Sequence, residues 1–231
     1  MYLTLRVLAL LIIFSTFLGC GAKQVVKDIF ASDDDNSEPP SILVDIIATA
    51  ELNKIWSENI GKGTDELFIK LTPVVMGEHV FIADTRGEIM ALFAETGKTV
   101  WENDSELPIT GGPGADENLV LIGTSEGDVL ALESESGKEA WRTKVSSEIL
   151  SPPRESDGII IVRTIDGKIF ALDTDSGNRL WVYDRTVPNL TLRGTSTPVI
   201  ANNLVIAGFD SGKLTALELK TGKLIWETKV A

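Results

Sequence analysis

The 231 residues contain only one cysteine and only one histidine. A single cysteine excludes a disulfide within this sequence, and it leaves no Cys/His cluster with metal-ligand spacing. The histidine, His79, follows Gly77 and Glu78 in a predicted surface turn. The sequence offers no Ser/His/Asp triad and no glycine-rich phosphate-binding loop. It therefore lacks the residue sets of the common catalytic mechanisms.

Positive charge is also scarce, because 21 Lys and Arg residues face 34 Asp and Glu residues and the formal net charge is −13. Such a surface repels the phosphates of nucleic acids and the headgroups of anionic lipids. The composition therefore argues against nucleic-acid binding and against membrane attachment through a basic patch.

The first segment, residues 1–19, carries one charge, Arg6, ahead of an apolar run at 7–14. It is too short and wrongly flanked for a membrane span, which predicts a signal peptide. The sequence Phe17-Leu18-Gly19-Cys20 resembles a bacterial lipobox, in which a peptidase cuts before the cysteine. Cys20 is therefore the predicted lipid-attachment site, with an ordinary secretory signal and an incidental cysteine as the alternative.

Residues 20–47 are predicted to form the acylated cysteine and an acidic tether. The run from Asp33 to Pro40 has no large apolar side chain to bury, and its charges repel one another. Calcium binding by the Asp33–Asp35 run is the alternative to a solvated linker.

A repeated phrase dominates the rest of the sequence. It reads Ala-Leu, four residues, glycine, three residues, tryptophan, and it occurs four times, each copy preceded by a glycine and a proline at fixed spacing. One further tryptophan lies upstream, so that the full set is Trp56, Trp101, Trp141, Trp181 and Trp226. Strand-like units of about 40–45 residues with one tryptophan each are typical of β-propellers.

We therefore expect an all-β propeller built from four-stranded blades, with about four of a probable eight blades present. The propeller unit is predicted at residues 48–231, as the N-terminal part of a longer protein. A closing strand of another blade is predicted near residues 53–60. The blades are expected near residues 70–104, 110–145, 150–185 and 195–230.

The five tryptophans are interpreted as structural groups that dock between adjacent blades. Stacking around a redox cofactor is the alternative, and the strict spacing argues against it. The sequence Asp173–Asn178 resembles a calcium loop, but its equivalent at Glu133–Gly137 is the same turn of the repeat. We predict no metal and no cofactor.

Only the connection from each tryptophan to the next proline varies in length. It spans 12 residues in two cases, but 17 after Trp56 and after Trp181. Both longer connections should project from the face of the propeller that bears the middle turns, the turns between the second and third strands of each blade. The second connection carries Leu190, Leu192 and Arg193, which suit a protein-binding anchor. Equally compatible is a structure in which the leucines tuck under the blade and Arg193 pairs with a local acid.

The repeat Ala-Leu-x-x-x-[Thr/Ser]-Gly-x-x-x-Trp resembles the pyrroloquinoline-quinone-type propeller repeat. The lipobox, the acidic tether, the upstream tryptophan and especially the sequence Asn189–Thr195 resemble the BamB family. This resemblance covers residues 20–231. It implies an eight-bladed, non-enzymatic scaffold of the outer-membrane β-barrel assembly machine, anchored by lipid to the periplasmic face of the outer membrane.

The resemblance also implies a binding role for the second long connection. In that family the matching residues, here Leu190, Leu192 and Arg193, contribute to binding the POTRA domains of BamA. It implies further that the protein works with other subunits of the machine and assists the insertion of nascent outer-membrane proteins.

Two other functions remain open at the level of sequence. One is a propeller lipoprotein with a different envelope partner. The other is a quinoprotein dehydrogenase, an enzyme that needs a carboxylate base and a calcium site beside its quinone. Adjacent cysteines often mark such enzymes, and this sequence has only one cysteine.

Overall fold

The computed structural model describes Ile42, Val44 and residues 49–64, 67–185, 193–194 and 196–230. The chain divides into two compact units, Met1–Leu52 and Asn53–Ala231, and the sixteen strands found in the described residues lie in the second. The described residues include no α-helix, and so none that is long and apolar enough to cross a membrane.

The strands form four antiparallel sheets, each a four-stranded meander in chain order. Blade 1 contains β1 (Val74–Met76), β2 (His79–Ala83), β3 (Glu88–Phe93) and β4 (Thr99–Asp104). Blade 2 contains β5 (Ile109–Ala115), β6 (Leu119–Thr124), β7 (Asp128–Glu133) and β8 (Glu139–Lys144). Blade 3 contains β9 (Arg154–Ser156), β10 (Ile159–Arg163), β11 (Ile169–Asp173) and β12 (Arg179–Tyr183). Blade 4 contains β13 (Val199–Ala201), β14 (Leu204–Phe209), β15 (Lys213–Glu218) and β16 (Leu224–Lys229). The predicted all-β architecture of four-stranded blades is confirmed.

Apolar side chains fill the space between successive blades. Phe81 and Ile89 of blade 1 belong to one buried cluster with Val120 and Leu130 of blade 2. Strand β6 is buried along its whole length because a neighbouring blade covers each of its two faces. This explains why the residues of β6 are continuously apolar. A strand with one solvent-exposed face would alternate apolar and polar residues.

A β-bulge recurs at the Ala-Leu pair of every repeat. In blade 1, Ala91 pairs with Trp101 while Leu92 pairs with Thr99, so that Val100 is an extra residue on β4. The same register shift follows the alanine of the phrase in blades 2, 3 and 4. Because a bulge re-aims the neighbouring side chain, this part of the repeat sets the direction of its tryptophan.

Residues 53–60 carry no assigned strand, and the closing strand expected there, which would complete a further blade, stays a prediction. A strand needs a ladder of backbone hydrogen bonds to a neighbour. Each of the four described sheets is made up without this segment. The segment nevertheless places Trp56, whose indole Nε1 donates a hydrogen bond to the carbonyl oxygen of Ala94 at 2.7 Å.

Candidate functional site

Four of the five tryptophans contact the repeat that follows them in the chain. Trp101 lies against blade 2, where its Nε1 donates to the carbonyl oxygen of Ser134 at 2.8 Å. The corresponding acceptors are Ala94 for Trp56 at 2.7 Å, Thr174 for Trp141 at 2.8 Å and Leu219 for Trp181 at 2.9 Å. The ring of Trp101 also covers Gly137, where an added Cβ would lie 2.5 Å from Cε3. The glycine of the phrase therefore makes room for the indole of the preceding repeat.

Trp226 differs from these four. It lies on β16 with 39% of its surface exposed, whereas Trp101 is 8% exposed. The described residues contain no further sheet beside β16. Blade docking by Trp226 stays a prediction.

The connection that follows Trp56 is fixed to the β2–β3 turn of blade 1. The amide of Lys62 donates to Oδ2 of Asp84 at 2.9 Å. Oδ1 of the same carboxylate accepts the amides of Arg86 at 2.9 Å and Glu88 at 3.0 Å. Asp84 is only 2% exposed, so three backbone donors satisfy a buried carboxylate. The first long connection thus begins on the face that bears the middle turns.

Arg193, in the second long connection, forms an ion pair with Glu148. Its Nη2 lies 2.6 Å from Oε1 of Glu148, and its Nε donates to Oε2 at 3.3 Å. Glu148 belongs to the connection between blades 2 and 3, and its carbonyl oxygen accepts the amide of Ile165 at 2.9 Å. The Arg193 side chain keeps 40% of its surface exposed. Arg193 therefore pairs with a local acid, whereas Leu190 and Leu192 lie outside the described residues, and the binding role of the three residues stays a prediction.

The chain just beyond this arginine is held by a second, buried arginine. Nη1 of Arg163 donates to Oγ of Ser196 at 2.5 Å and to its carbonyl oxygen at 3.2 Å. Oγ of Ser196 donates in turn to the carbonyl oxygen of Gly208 at 3.1 Å, and the guanidinium lies 5.0 Å from the centre of the Phe209 ring. Burial lowers the pKa of Arg163, and the charge of Asp210 opposes that shift. Ser196 is therefore tied to blades 3 and 4 at once.

Sequence reasoning missed Arg163 and Ser196. A signal for the arginine was present, because a charged residue ends the otherwise apolar run Ile159–Val162 at the same edge as the long connection. Nothing in the spacing of the repeat marks Ser196.

The start of the second long connection is held by charge as well. Arg185 pairs with Glu227 of β16, and Glu227 also binds Nζ of Lys213 at 2.6 Å. Hydrogen bonds from Lys213 and Arg185 lower the pKa of Glu227. The hydrogen bond from Arg185 to the Tyr183 hydroxyl and the pairing with Glu227 raise the pKa of Arg185. Both ends of the connection are thus fixed to blade 4.

The turn that resembles a calcium loop is organised by its own hydrogen bonds. Oδ1 of Asp173 accepts the amide of Ser176 at 2.9 Å and its hydroxyl at 2.6 Å. Within the part of the chain that the structure describes, no group of three or more His, Cys, Asp or Glu residues could hold a metal ion. Cys20 lies outside that part.

These features define a β-propeller of bulged, tryptophan-docked blades with two long connections that are held at their described residues. A family model described as outer membrane protein assembly factor BamB matches residues 43–109 and 85–231. The BamB of Pseudomonas aeruginosa is 56% identical over 201 residues, which cover 87% of this chain and 53% of that protein. The chain belongs to the BamB family.

Comparison with solved structures agrees. The crystal structure of BamB from Moraxella catarrhalis is similar with a TM-score of 0.66 and 31% identity, over 71% of this chain and 50% of that one. The chain spans about half the length of the curated relatives it matches. A quinohemoprotein alcohol dehydrogenase from Comamonas testosteroni matches with a TM-score of 0.58 over 70% of this chain and 35% of that one, at 18% identity, and shows the fold alone.

Proposed function

We propose that the protein is a non-enzymatic scaffold of the outer-membrane β-barrel assembly machine that binds BamA. The observation that carries this proposal is the 56% identity to an outer membrane protein assembly factor over 87% of the chain. Likeness to dehydrogenases is confined to the fold, so quinone chemistry has no support beyond the shared architecture.

Cys20 is the proposed point of attachment to the membrane. Acyl chains on this residue would hold the propeller at the periplasmic face of the outer membrane, where a chain of net charge −13 has little attraction to anionic lipid. From that position the scaffold would orient BamA, work beside other subunits of the machine and assist nascent outer-membrane proteins.

The second long connection is the proposed contact with the POTRA domains of BamA. Leu190 and Leu192 supply its apolar anchors, and Arg193 completes the contact. Support comes from the fixed surroundings of the connection, because Arg193 is paired with Glu148 and Ser196 is held by Arg163. Restricting a segment before binding reduces the conformational entropy that binding must overcome.

The experiment is a pull-down of purified POTRA domains by the full-length protein and by its Leu192→Ala variant. Removal of an apolar anchor at an interface costs about 2 kcal/mol, so we expect the affinity to fall by about thirtyfold. Leu180→Ala, which truncates a leucine that is 49% exposed on β12, is the matched control and should bind like the wild type.

Each other outcome has a definite meaning. If the wild type does not bind, BamA is not the partner, and a propeller lipoprotein with another envelope partner becomes the better proposal. If both variants bind as the wild type does, BamA is retained and the contact lies elsewhere on the propeller.

A further inference from the structure

Blade 1 departs from the other three blades at one cross-strand pair. In blades 2, 3 and 4 the last residue of the third strand is an acid that faces an aliphatic residue of the second strand. These pairs are Leu119 with Glu133, Ile159 with Asp173 and Leu204 with Glu218. In blade 1 the equivalent pair is His79 with Phe93.

The acid has a structural role that phenylalanine cannot perform. In each of the three blades its carboxylate accepts a hydrogen bond from a hydroxyl in the following turn. The bonds join Glu133 to Ser136 at 2.5 Å, Asp173 to Ser176 at 2.6 Å and Glu218 to Thr221 at 2.5 Å. Phe93 makes no such bond and leaves 40% of its surface exposed. Turn stability therefore does not explain this residue.

Phe93 instead lines a cavity of about 540 Å³ between blades 1 and 2. The His79 ring lies 5.6 Å from the ring of Phe93 and 5.9 Å from that of Phe81, so the three rings form one aromatic group in which Phe81 is buried and Phe93 is exposed to the cavity. The volume is within the range of roughly 300–1,000 Å³ found for ligand sites. Because both blades are fully described, the walls are made of strands and tight turns.

Carboxylates border the same cavity. The acidic residues that line it are Glu78 of blade 1 and Asp116, Glu117 and Glu135 of blade 2, and Oδ1 of Asp116 already accepts the amides of Asn118 and Leu119. No ion pair between described residues involves any of these four. A cation fits such surroundings, since aromatic faces attract positive charge and carboxylates form strong charge-assisted hydrogen bonds with it.

We propose that this cavity binds an arginine side chain presented by an extended segment of a partner protein. A guanidinium is planar, so it stacks on an aromatic ring while its edge donates to carboxylates, which the ammonium of lysine cannot match. The net charge of −13 adds long-range attraction for a basic segment.

The location separates this site from the proposed contact with BamA. The cavity is lined by the first and third turns of its blades, including Gly77 and Glu135. The long connections lie at the other end of the blades, beside the middle turns. The two sites can therefore be tested independently.

His79 makes occupancy measurable, because it lines the cavity and its imidazole proton resonances can be assigned by their loss in a His79→Gln variant. The probes are acetyl-Gly-Arg-Gly-amide and its citrulline analogue, which keeps the shape and loses the charge. We expect a saturable shift of the His79 resonances with the arginine peptide and at least fivefold weaker binding of the citrulline peptide. Equal shifts with both peptides, or no shift with either, would overturn the proposal.

Variants separate the aromatic side of the cavity from simple charge attraction. Phe93→Glu gives blade 1 the acid found in blades 2 and 4, so it should keep the turn while adding a negative charge. If the ring binds the guanidinium, this variant loses at least fivefold in affinity in spite of the added charge. Unchanged or tighter binding by a folded Phe93→Glu protein contradicts the proposal.

A second pair of variants tests the carboxylates. Joint replacement of Glu117 and Glu135 by glutamine should weaken the arginine peptide by a similar factor. Glu126→Gln removes a charge from an exposed turn at the opposite end of blade 2 and should leave the affinity unchanged. If Glu126→Gln weakened peptide binding as much as the Glu117/Glu135 double variant does, net charge alone would attract the peptide. The assigned site would then be wrong.

Discussion

Arg193 and Glu148 join the two connections that flank blade 3 through contacts of 2.6 and 3.3 Å. The pair is partly exposed, with 40% of the arginine side chain and 16% of the glutamate side chain accessible. An exposed ion pair contributes only about 0–1 kcal/mol to stability. Its main consequence is therefore geometric, because it fixes the position of Arg193, the residue that directly follows Leu192 in the second long connection.

This relationship predicts that Glu148 affects partner binding without touching the partner. Glu148→Ala should weaken POTRA binding by about three- to tenfold, because the connection loses a constraint, while the melting temperature stays within about 3 °C. Arg142→Ala breaks an exposed pair with Glu139 on β8 and is the matched control. Affinity measurements and thermal melts on the same samples check both expectations.

A charge swap then separates positioning from direct contact. If Arg193 acts through Glu148, the double variant Arg193→Glu/Glu148→Arg recovers most of the binding that each single change removes. If Arg193 donates directly to the partner, the swap binds no better than Arg193→Glu alone.

Gly137 provides a test of tryptophan docking. A Cβ there would lie 2.5 Å from Trp101, and the φ of +69° is itself unfavourable for alanine. We expect Gly137→Ala to lower the free energy of unfolding by about 3 kcal/mol, from the backbone cost and the displaced ring together. Gly158→Ala has a similar φ of +77° with nothing within 4 Å, so it should lose only about 1–2 kcal/mol. Equal losses in denaturant unfolding would contradict close packing as the reason for the glycine.

We expect Asp166 to contribute to the free energy of unfolding in a way that is lost in acid. Burial raises the pKa of this carboxyl, but hydrogen bonds from Lys168, Thr164 and Ser146 outweigh burial and bring it below 3.8. Since the pKa in the folded state is below that in the unfolded state, the stabilisation is complete well above pH 3.8 and is lost as the pH falls through the lowered pKa. The stability difference between wild type and Asp166→Asn should therefore be constant near neutral pH and shrink below pH 3.8.

Unfolding titrations at a series of pH values measure this difference. Lys168→Met, which removes the main donor to Asp166, should lower stability over the same neutral range and converge with the wild type in acid. A difference that grows as the pH falls would reverse the assigned sign.

The structural features that the sequence predicts are those encoded by a motif that is present in every repeat. Alanine, glycine and tryptophan recur because bulge, turn and indole docking are local or join neighbouring repeats, and the four blades follow from them. The closing strand expected at 53–60 depends on a neighbouring strand outside the four described sheets, which a local pattern does not supply, so it stays a prediction.

Contacts outside the repeat period were not predictable in the same way. Arg193 finds Glu148 across 45 positions, and Arg163 finds Ser196 across 33 positions. Each contact joins a variable connection to a repeat, so no recurring spacing records it. Phe93 is the instructive exception, because aligning the units places a phenylalanine where the other three have acids.

Asp84 is expected to control the first long connection. Asp84→Asn replaces one oxygen with a donor, so either the Lys62 amide or the amides of Arg86 and Glu88 must lose an acceptor at a site that is 2% exposed. An unsatisfied buried group costs about 1–3 kcal/mol, and we expect faster tryptic cleavage after Lys62 together with a lower unfolding midpoint. Asp104→Asn, at an exposed carboxylate of the same blade, is the control for lost charge. Unchanged cleavage after Lys62 in a variant of lowered stability would mean that Asp84 supports only the β2–β3 turn and leaves the connection to other contacts.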